Sequence, residues 1–454
     1  MKNRNGKRYS ASPATASSAR RTKMARERKI RRIITCVMAV IIVALLVFLV
    51  VKLCVGKGKT ETDGKGKPDT SQSAEVKKKK GDPNEVVATA DVLSTGDILI
   101  HSMILDYSKK SDGTYEFNQD FTMVKEAVSK ADLAVANFEI TLGGSDKEYS
   151  GFPCFNTPDS ILDALKNAGF DFLVTANNHC YDTGFAGLKR TAKTIRDNGF
   201  GQTGTKADPS QKKYEVVDVN GIKLGMVNYT YETTSDSPDR KGMNGILMTA
   251  EAGAYVNSFR EDKLDDFYKE MEQNIKDMKK DGAEAVILYI HWGVEYSTQE
   301  NAVQKKIAQK MCDLEVDVII GGHPHVLQPA ETLTSTVSGK QTFCIYSVGN
   351  AISNQRTAYM TGACTTGHTE DGILVYTKFT KYGDGRVVLT GVDYTPTWVN
   401  RYQKNGQMLY EVTPLGDLSR VTTNADQAAK SKERTEKIVD AGFKAFKPVT
   451  SASD

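Results

Sequence analysis

The run Val316-Asp317-Val318-Ile319-Ile320 ends in Gly321-Gly322-His323-Pro324-His325. A short β-branched stretch of this kind reads as a buried strand. Two glycines let the backbone turn sharply where the strand stops. Pro324 fixes φ between two histidines at i and i+2. Side chains two apart on extended backbone share a face, so both imidazoles can address one point. Neutral imidazole is a frequent metal ligand; the competing reading is a pair of exposed loop histidines. A strand that delivers two imidazoles at its C-terminal end suits a layered α/β sheet, where such ends gather the functional loops.

The chain has six histidines: His101, His179, His291, His323, His325 and His368. His179 follows Phe172-Leu173-Val174-Thr175, and His291 closes Val286-Ile287-Leu288-Tyr289-Ile290. His101 lies four residues beyond Asp97, at the exit of another such run. Strands and helices alternate through 86–350, which argues for one α/β layered domain. Strands are expected over 86–97, 131–139, 171–175, 286–290, 316–320 and 342–350, with an Asn-Gly hairpin joining 214–220 to 223–230. Helices are expected over 121–128, 160–168, 185–198, 264–280 and 302–314. Residues 231–262 read as a loop over the site. A closing β-pair is expected at 372–380 and 386–394, and beyond Trp398 a polar, helix-prone tail.

The strand ends carry the candidate chemistry. Gly96-Asp97 suits a hard cation or is an ordinary turn. Asn137 and Glu139 again stand at i and i+2; Glu139 reads as a carboxylate bridging two metals or as a loop acid. Asn178 offers a carbonyl oxygen, and His179 beside it could donate a proton. Asp182 either orients His179 or caps the following helix, with the cap favoured. Neither a Gly-rich phosphate loop nor a Gly-x-Ser-x-Gly elbow is present, so nucleotide-motor and serine-hydrolase chemistry have little support.

Residues 1–32 hold 12 Lys/Arg and one acid, a net of +11. This basic tail is expected to be cytoplasmic and to meet anionic membrane lipid, or to serve only as a topology signal. Residues 33–55 are almost wholly apolar, long enough as a helix to cross ~30 Å of hydrocarbon. They read as an uncleaved signal anchor, since a cleaved signal peptide has a shorter apolar core and a small-residue exit. The positive-inside rule then gives a single-pass cell-membrane protein with an extracellular main domain. Residues 56–85 form a disordered tether with 8 Lys against 6 acids. Removing the tail, Lys52 and the tether from the formal +4 leaves −10 for residues 86–454. Nonspecific nucleic-acid binding is therefore not expected. The chain has seven cysteines and no Cys-x-x-Cys, which makes a thiolate zinc site improbable.

Six motifs occur in the order of a known family. Gly96-Asp97, Asn137-Phe138-Glu139, Ala176-Asn177-Asn178-His179 with Asp182 and Gly184, His291-Trp292-Gly293 with Glu295 and Tyr296, Gly322-His323-Pro324-His325, and Ser347-Val348-Gly349-Asn350 together resemble the CapA-type poly-γ-glutamate capsule synthesis family. The resemblance runs over about 88–400. That family is similar to calcineurin-like metallophosphoesterases, which implies a four-layer αββα sandwich over 86–400; the apolar run puts one transmembrane helix before it, and the polar pattern of 401–454 a partly helical tail after it.

By position, the resemblance implies two divalent metal ions (Mn, Fe, Zn or Co), with Asp97 and His325 on the first, Glu139 bridging, and Asn178, His291 and His323 on the second. His179 would protonate a leaving group, with Asp182 beside it. The phosphoesterases usually carry a histidine two residues after the first Asp; here Leu99 stands there, so either His101 is the replacement ligand or the site holds one metal or is non-catalytic. Asn137, Glu295 and Asn350 are expected as further ligands or substrate contacts. The implied function is a membrane-anchored, metal-dependent hydrolase acting on an anionic envelope polymer such as poly-γ-glutamate. The alternative is a non-catalytic assembly or export subunit beside membrane-bound polymer synthase subunits.

Overall fold

The computed structural model describes residues 82–233 and 240–448. The chain begins in one sheet with β1 (Val86–Ile98), β2 (Leu133–Phe138), β3 (Phe172–Val174) and β4 (Gly201–Thr203). It crosses to a second sheet with β5 (Tyr214–Val219) and β6 (Ile222–Tyr231). A small hairpin, β7 (Gly242–Met243) and β8 (Ile246–Leu247), follows. The second sheet resumes with β9 (Ser258–Phe259), β10 (Ala285–His291), β11 (Val318–Gly322), β12 (Leu327–Thr334) and β13 (Gln341–Val348). The chain then returns to the first sheet with β14 (Asn350–Ile352), β15 (Asp371–Tyr382), β16 (Val387–Lys404) and β17 (Gln407–Pro414). The first sheet has the order β17-β16-β15-β1-β2-β3-β4, with β14 beside β1; the second has β12-β13-β11-β10-β6-β5, with β9 beside β6.

The helices are α1 (Ser102–Ser108), α2 (Lys125–Val128), α3 (Ser160–Ala168), α4 (Gly184–Asp197), α5 (Ala250–Gly253), α6 (Leu264–Lys280), α7 (Ala302–Asp313) and α8 (Ala425–Ala445). Val92, Val135 and Phe172 of the first sheet pack against Leu224, Ile287, Val318 and Phe343 of the second. The outer face of the first sheet is covered by α1, α3 and α4 through Ile104, Leu165 and Ile195. The outer face of the second is covered by α6 and α7 through Phe267, Met271, Ile307 and Met311. These are four layers, helix on sheet on sheet on helix. Central strands buried on both faces explain the continuous apolar runs: Val318 and Ile320 face the other sheet, while Ile319 faces the helices.

Helix α6 forms because Leu264, Phe267, Met271, Ile275 and Met278 make one buried stripe. Asp265 and Asp266 in its first turn and Lys279 and Lys280 in its last complement the helix dipole. Helix α7 opens on a capping box in which Asn301 and Gln304 satisfy each other's backbone N–H.

Two expectations need correction. Residues 121–128 do not make one helix: a 3₁₀ turn (Asn118–Phe121) and the single-turn α2 take its place. The buried positions Phe121, Val124 and Val128 kept the helical spacing while the backbone broke between them. Nor does the chain become a tail at 401. β16 runs on to Lys404, turns at Asn405-Gly406 with φ of 53° and 77°, and pairs with β17. That is the primed turn an Asn-Gly hairpin prefers. Helix α8 then packs Val439 and Phe443 into the core between the sheets. Among the described residues no helix is long and apolar enough to cross a membrane. The 33–55 segment, the basic tail and nearly all of the tether lie outside the described residues.

Candidate metal centre

The parallel strands of both sheets end at one place. Register puts Asp97 of β1 opposite Asn137 of β2 and Asn350 of β14. In the other sheet His291 of β10 stands opposite Gly322 of β11. Glu139 follows β2 directly, and His323 and His325 follow β11. Gly96 is demanded by close packing: a Cβ there would lie 1.9 Å from the Gly349 carbonyl oxygen. Gly321 is needed for the same reason, its Cβ falling 2.0 Å from the Tyr346 carbonyl. Both Gly321 and Gly322 remain in the strand, so they do not make the expected turn. His323 and His325 make it themselves, with φ of 96° and 57°. Left-handed backbone at residues with a Cβ costs ~1–3 kcal/mol each and concentrates at functional sites.

The residues brought together are Asp97, Glu139, Asn178, His291, His323 and His325, all buried. Two groups offer ligand atoms within 4.8 Å of one another: Glu139, His323 and His325, and Asp97, Glu139 and His291. Asp97 Oδ2 lies 3.1 Å from His325 Nδ1, and Asn350 Oδ1 lies 3.2 Å from the same nitrogen. Two acceptors there make Nδ1 the protonated nitrogen and leave Nε2 for a ligand. A carboxylate holding the far nitrogen of a ligating histidine is a recurrent way to fix its ring. His291 Nε2 lies 2.8 Å from Asn178 Oδ1 and 3.3 Å from Glu139 Oε1.

Glu139 Oε1 and His323 Nδ1 are buried and have no hydrogen-bond partner among the described residues. Orphaned buried polar atoms are costly and want a partner. Two imidazoles and a carboxylate form a donor set suited to zinc, manganese, iron or cobalt. The residues therefore fit a divalent cation.

The charges are tightly coupled. Burial pushes the Asp97 carboxyl up, but the hydrogen bond and charge of His325, with His291 and Asn137, outweigh it and hold the group below its usual range. Burial pushes His325 down, yet Glu139 and Asp97 overcome this and raise it to about 9. His323 is driven well below its usual value by burial and by its histidine neighbours.

His179 sits beside the centre, its Nδ1 2.8 Å from Asp182 Oδ2. The cap favoured for Asp182 is not made; helix α4 has no side-chain cap. Asp182 instead orients His179 and also accepts the Phe155 backbone N–H at 2.7 Å. The Phe155 ring stands edge-on to both His179 (4.8 Å) and His101 (5.4 Å). His101, the candidate replacement ligand, lies outside both groups. Its Nδ1 lies 3.2 Å from the Asn354 backbone N–H and 3.3 Å from the Leu99 carbonyl oxygen. Burial lowers its pKa to about 4. Glu295 is exposed on the turn after β10, outside both groups. Burial pushes the Cys180 thiol up to about 12, so it supplies no thiolate.

Three further residues lie in or beside the centre. Asn177 Nδ2 donates to Asn137 Oδ1 (3.2 Å) and to the Phe138 carbonyl (3.0 Å). The ring of Tyr231, at the end of β6, lies 4.7 Å from that of His323. Asn354 locks His101 and takes a hydrogen bond from Tyr410 at 2.7 Å. Asn177 lies inside one of the six motifs; Tyr231 and Asn354 have no local signal.

Residues 91–355, which hold every member of this centre, match the model of the bacterial capsule synthesis protein PGA_cap. The chain belongs to this family. It is 26% identical over 312 residues to the PGA biosynthesis protein CapA of Bacillus subtilis (strain 168), covering 67% of this chain and 72% of that protein. It is 28% identical over 265 residues to the capsule biosynthesis protein CapA of Bacillus anthracis, covering 57% of this chain and 59% of that protein. The crystal structure of TT1561 of Thermus thermophilus aligns at a TM-score of 0.31 and 7% identity, over 63% of this chain and 93% of that one, a likeness too loose to bear on fold or function. Strands β15 to β17 and helix α8 lie beyond the PGA_cap match, yet they complete the sandwich that carries the centre.

Proposed function

We propose that this PGA_cap protein is a membrane-anchored, outward-facing, metal-dependent hydrolase acting on an anionic cell-envelope polymer, with poly-γ-glutamate the first substrate to test. The observation that carries the reading is the buried group of Glu139, His323 and His325 with an oriented His179–Asp182 pair beside it. The names of the Bacillus relatives support the substrate class. The apolar 33–55 segment after a basic tail supports the anchor and the topology, and membrane-bound synthase subunits are the natural neighbours of such an anchor.

A divalent cation held by Glu139, His323 and His325 would supply an acidified water and polarise the scissile group. The chain's own residues do the rest. Asp182 fixes the His179 ring through Nδ1, so Nε2 is the nitrogen that delivers a proton to the leaving group. Asp97 and Asn350 hold His325 in register. Tyr231 also lines a cavity of about 560 Å³ whose walls carry both signs of charge, Arg240 and Arg260 with Glu232, Glu261 and Asp262.

The test uses the full chain in detergent, replete with metal, on poly-γ-glutamate and on a generic phosphodiester. Cleavage of either that falls about 10²–10⁴-fold in His179→Ala, with metal content unchanged, is the expected result. No cleavage by the wild type would replace hydrolysis with a polymer-binding or export role, and cleavage indifferent to His179 would remove that residue as the proton donor.

A further inference from the structure

Two metals need two open ligand sets, and the second set is already filled. Asn137 Nδ2 lies 2.7 Å from Asp97 Oδ1, 3.3 Å from Glu139 Oε2 and 3.5 Å from His291 Nδ1. These are the three side chains of the second candidate group. An amide NH₂ carries two protons on a partially positive nitrogen, and here both carboxylates accept from it. The orientation is fixed by the network. Asn137 Oδ1 accepts from Asn177 Nδ2 at 3.2 Å, and the reversed amide would aim its oxygen at two carboxylates. The space is narrow as well. A Cβ on Gly322 would stand 3.0 Å from Asp97 Oδ1, 3.6 Å from His291 Nδ1 and 3.8 Å from Asn137 Nδ2.

The other polar atoms of Asp97 and His291 are engaged too. Asp97 Oδ2 takes His325 Nδ1 and faces the His323 backbone N–H at 3.4 Å. His291 gives its Nε2 to Asn178 Oδ1 and turns Nδ1 toward the Asn137 amide. In the first group the situation is reversed. Glu139 Oε1 and His323 Nδ1 have no hydrogen-bond partner among the described residues; His325 Nε2 lies 3.8 Å from Glu139 Oε1, and His291 Nε2, already given to Asn178, lies 3.3 Å from it. A two-histidine, one-glutamate set leaves a coordination position for water or substrate, as catalytic zinc sites do.

We infer that the centre holds one metal ion, on Glu139, His323 and His325, and that the Asn137 amide takes the place of a second cation between Asp97, Glu139 and His291. Asp97, His291 and Asn178 are then positioning residues, and the expectation of two metals is replaced by one. The inference rests on the metal-dependent reading above.

The test is Mn(II) loading of the full chain, with metal content and electron paramagnetic resonance measured on the same dialysed sample. The wild type is expected to bind one Mn(II) per chain with the six-line spectrum of an isolated ion. Asn137→Asp, which puts a carboxylate where the amide stood, is expected to bind two and to show the multiline spectrum of an exchange-coupled pair. Two coupled ions in the wild type would overturn this inference and leave the proposed hydrolase standing. No bound ion would overturn both. One ion in both proteins would remove Asn137 from the account of what excludes the second. Should Asn137→Asp fail to fold, the wild-type spectrum alone decides the number.

Discussion

Asp97 and Asp120 are both buried aspartates, and they differ in everything that burial alone does not set. For each, leaving water favours the neutral acid. Around Asp97 that cost is outweighed: Asn137, His325 and the His323 backbone all address its oxygens, and the carboxyl is held below its usual range. Around Asp120 it is not. Asp120 Oδ2 has no hydrogen-bond partner among the described residues, Glu116 and Glu411 lie near, and burial pushes the acid well above its usual value. The first is a built electrostatic site at strand ends; the second is a neutral acid under the β17 edge. The presence of donors and cations, not depth, separates a carboxyl held ionised from one kept neutral.

The largest break in this comparison is Asp97→Ala. It strands the His325 Nδ1–H and the Asn137 amide in the core, and should cost about 3–5 kcal/mol by chemical denaturation of the metal-free chain. A loss under about 1 kcal/mol would mean that Asp97 is no better supported than Asp120. Asp97→Asn keeps the shape but loses the charge that orients His325. Competition titration should find metal affinity lowered about 10–100-fold, and an unchanged affinity would dismiss the orienting role.

Asp120→Asn should act in the opposite direction. A carboxyl raised above its unfolded pKa of ~3.9 contributes stability below that value and loses it as pH climbs toward the folded pKa. The asparagine does not titrate, so its advantage should be nil near pH ~4 and reach about 1–2 kcal/mol at pH ~8. Equal stability of the two chains under the alkaline condition would refute the neutral acid. The smallest effect is expected from Tyr410→Phe. Tyr410 borders the Asp120 pocket and holds Asn354, which in turn holds His101. Losing that hydroxyl should cost about 1 kcal/mol, and a larger drop in hydrolysis than in stability would tie the Asp120 side of the molecule to the centre.

Much of this is legible in the chain. Histidines closing apolar runs place the centre, because parallel strands must deliver their last residues to one edge. The hairpin at Asn220-Gly221 follows from its turn, with both residues at positive φ. The identical signal at Asn405-Gly406 is obscured, since its flanks in β16 and β17 are rich in polar residues and lack a clear apolar run. The role of Asn137 is not legible. It depends on β1 and β2 lying in a register that sets Asp97 against Asn137, and no local pattern encodes that pairing. Asp182 misleads for a related reason: a polar residue before a helix reads as a cap until its partner three residues earlier is seen to share its side of the turn.

The measurement that bears most directly on the centre is an anomalous difference map from crystals of the metal-loaded protein, collected at the metal's absorption edge. A single peak bonded to Glu139, His323 and His325, with the Asn137 amide still between Asp97 and Glu139, is the predicted result. A second peak among Asp97, Glu139 and His291, or no peak at the strand ends, would contradict it.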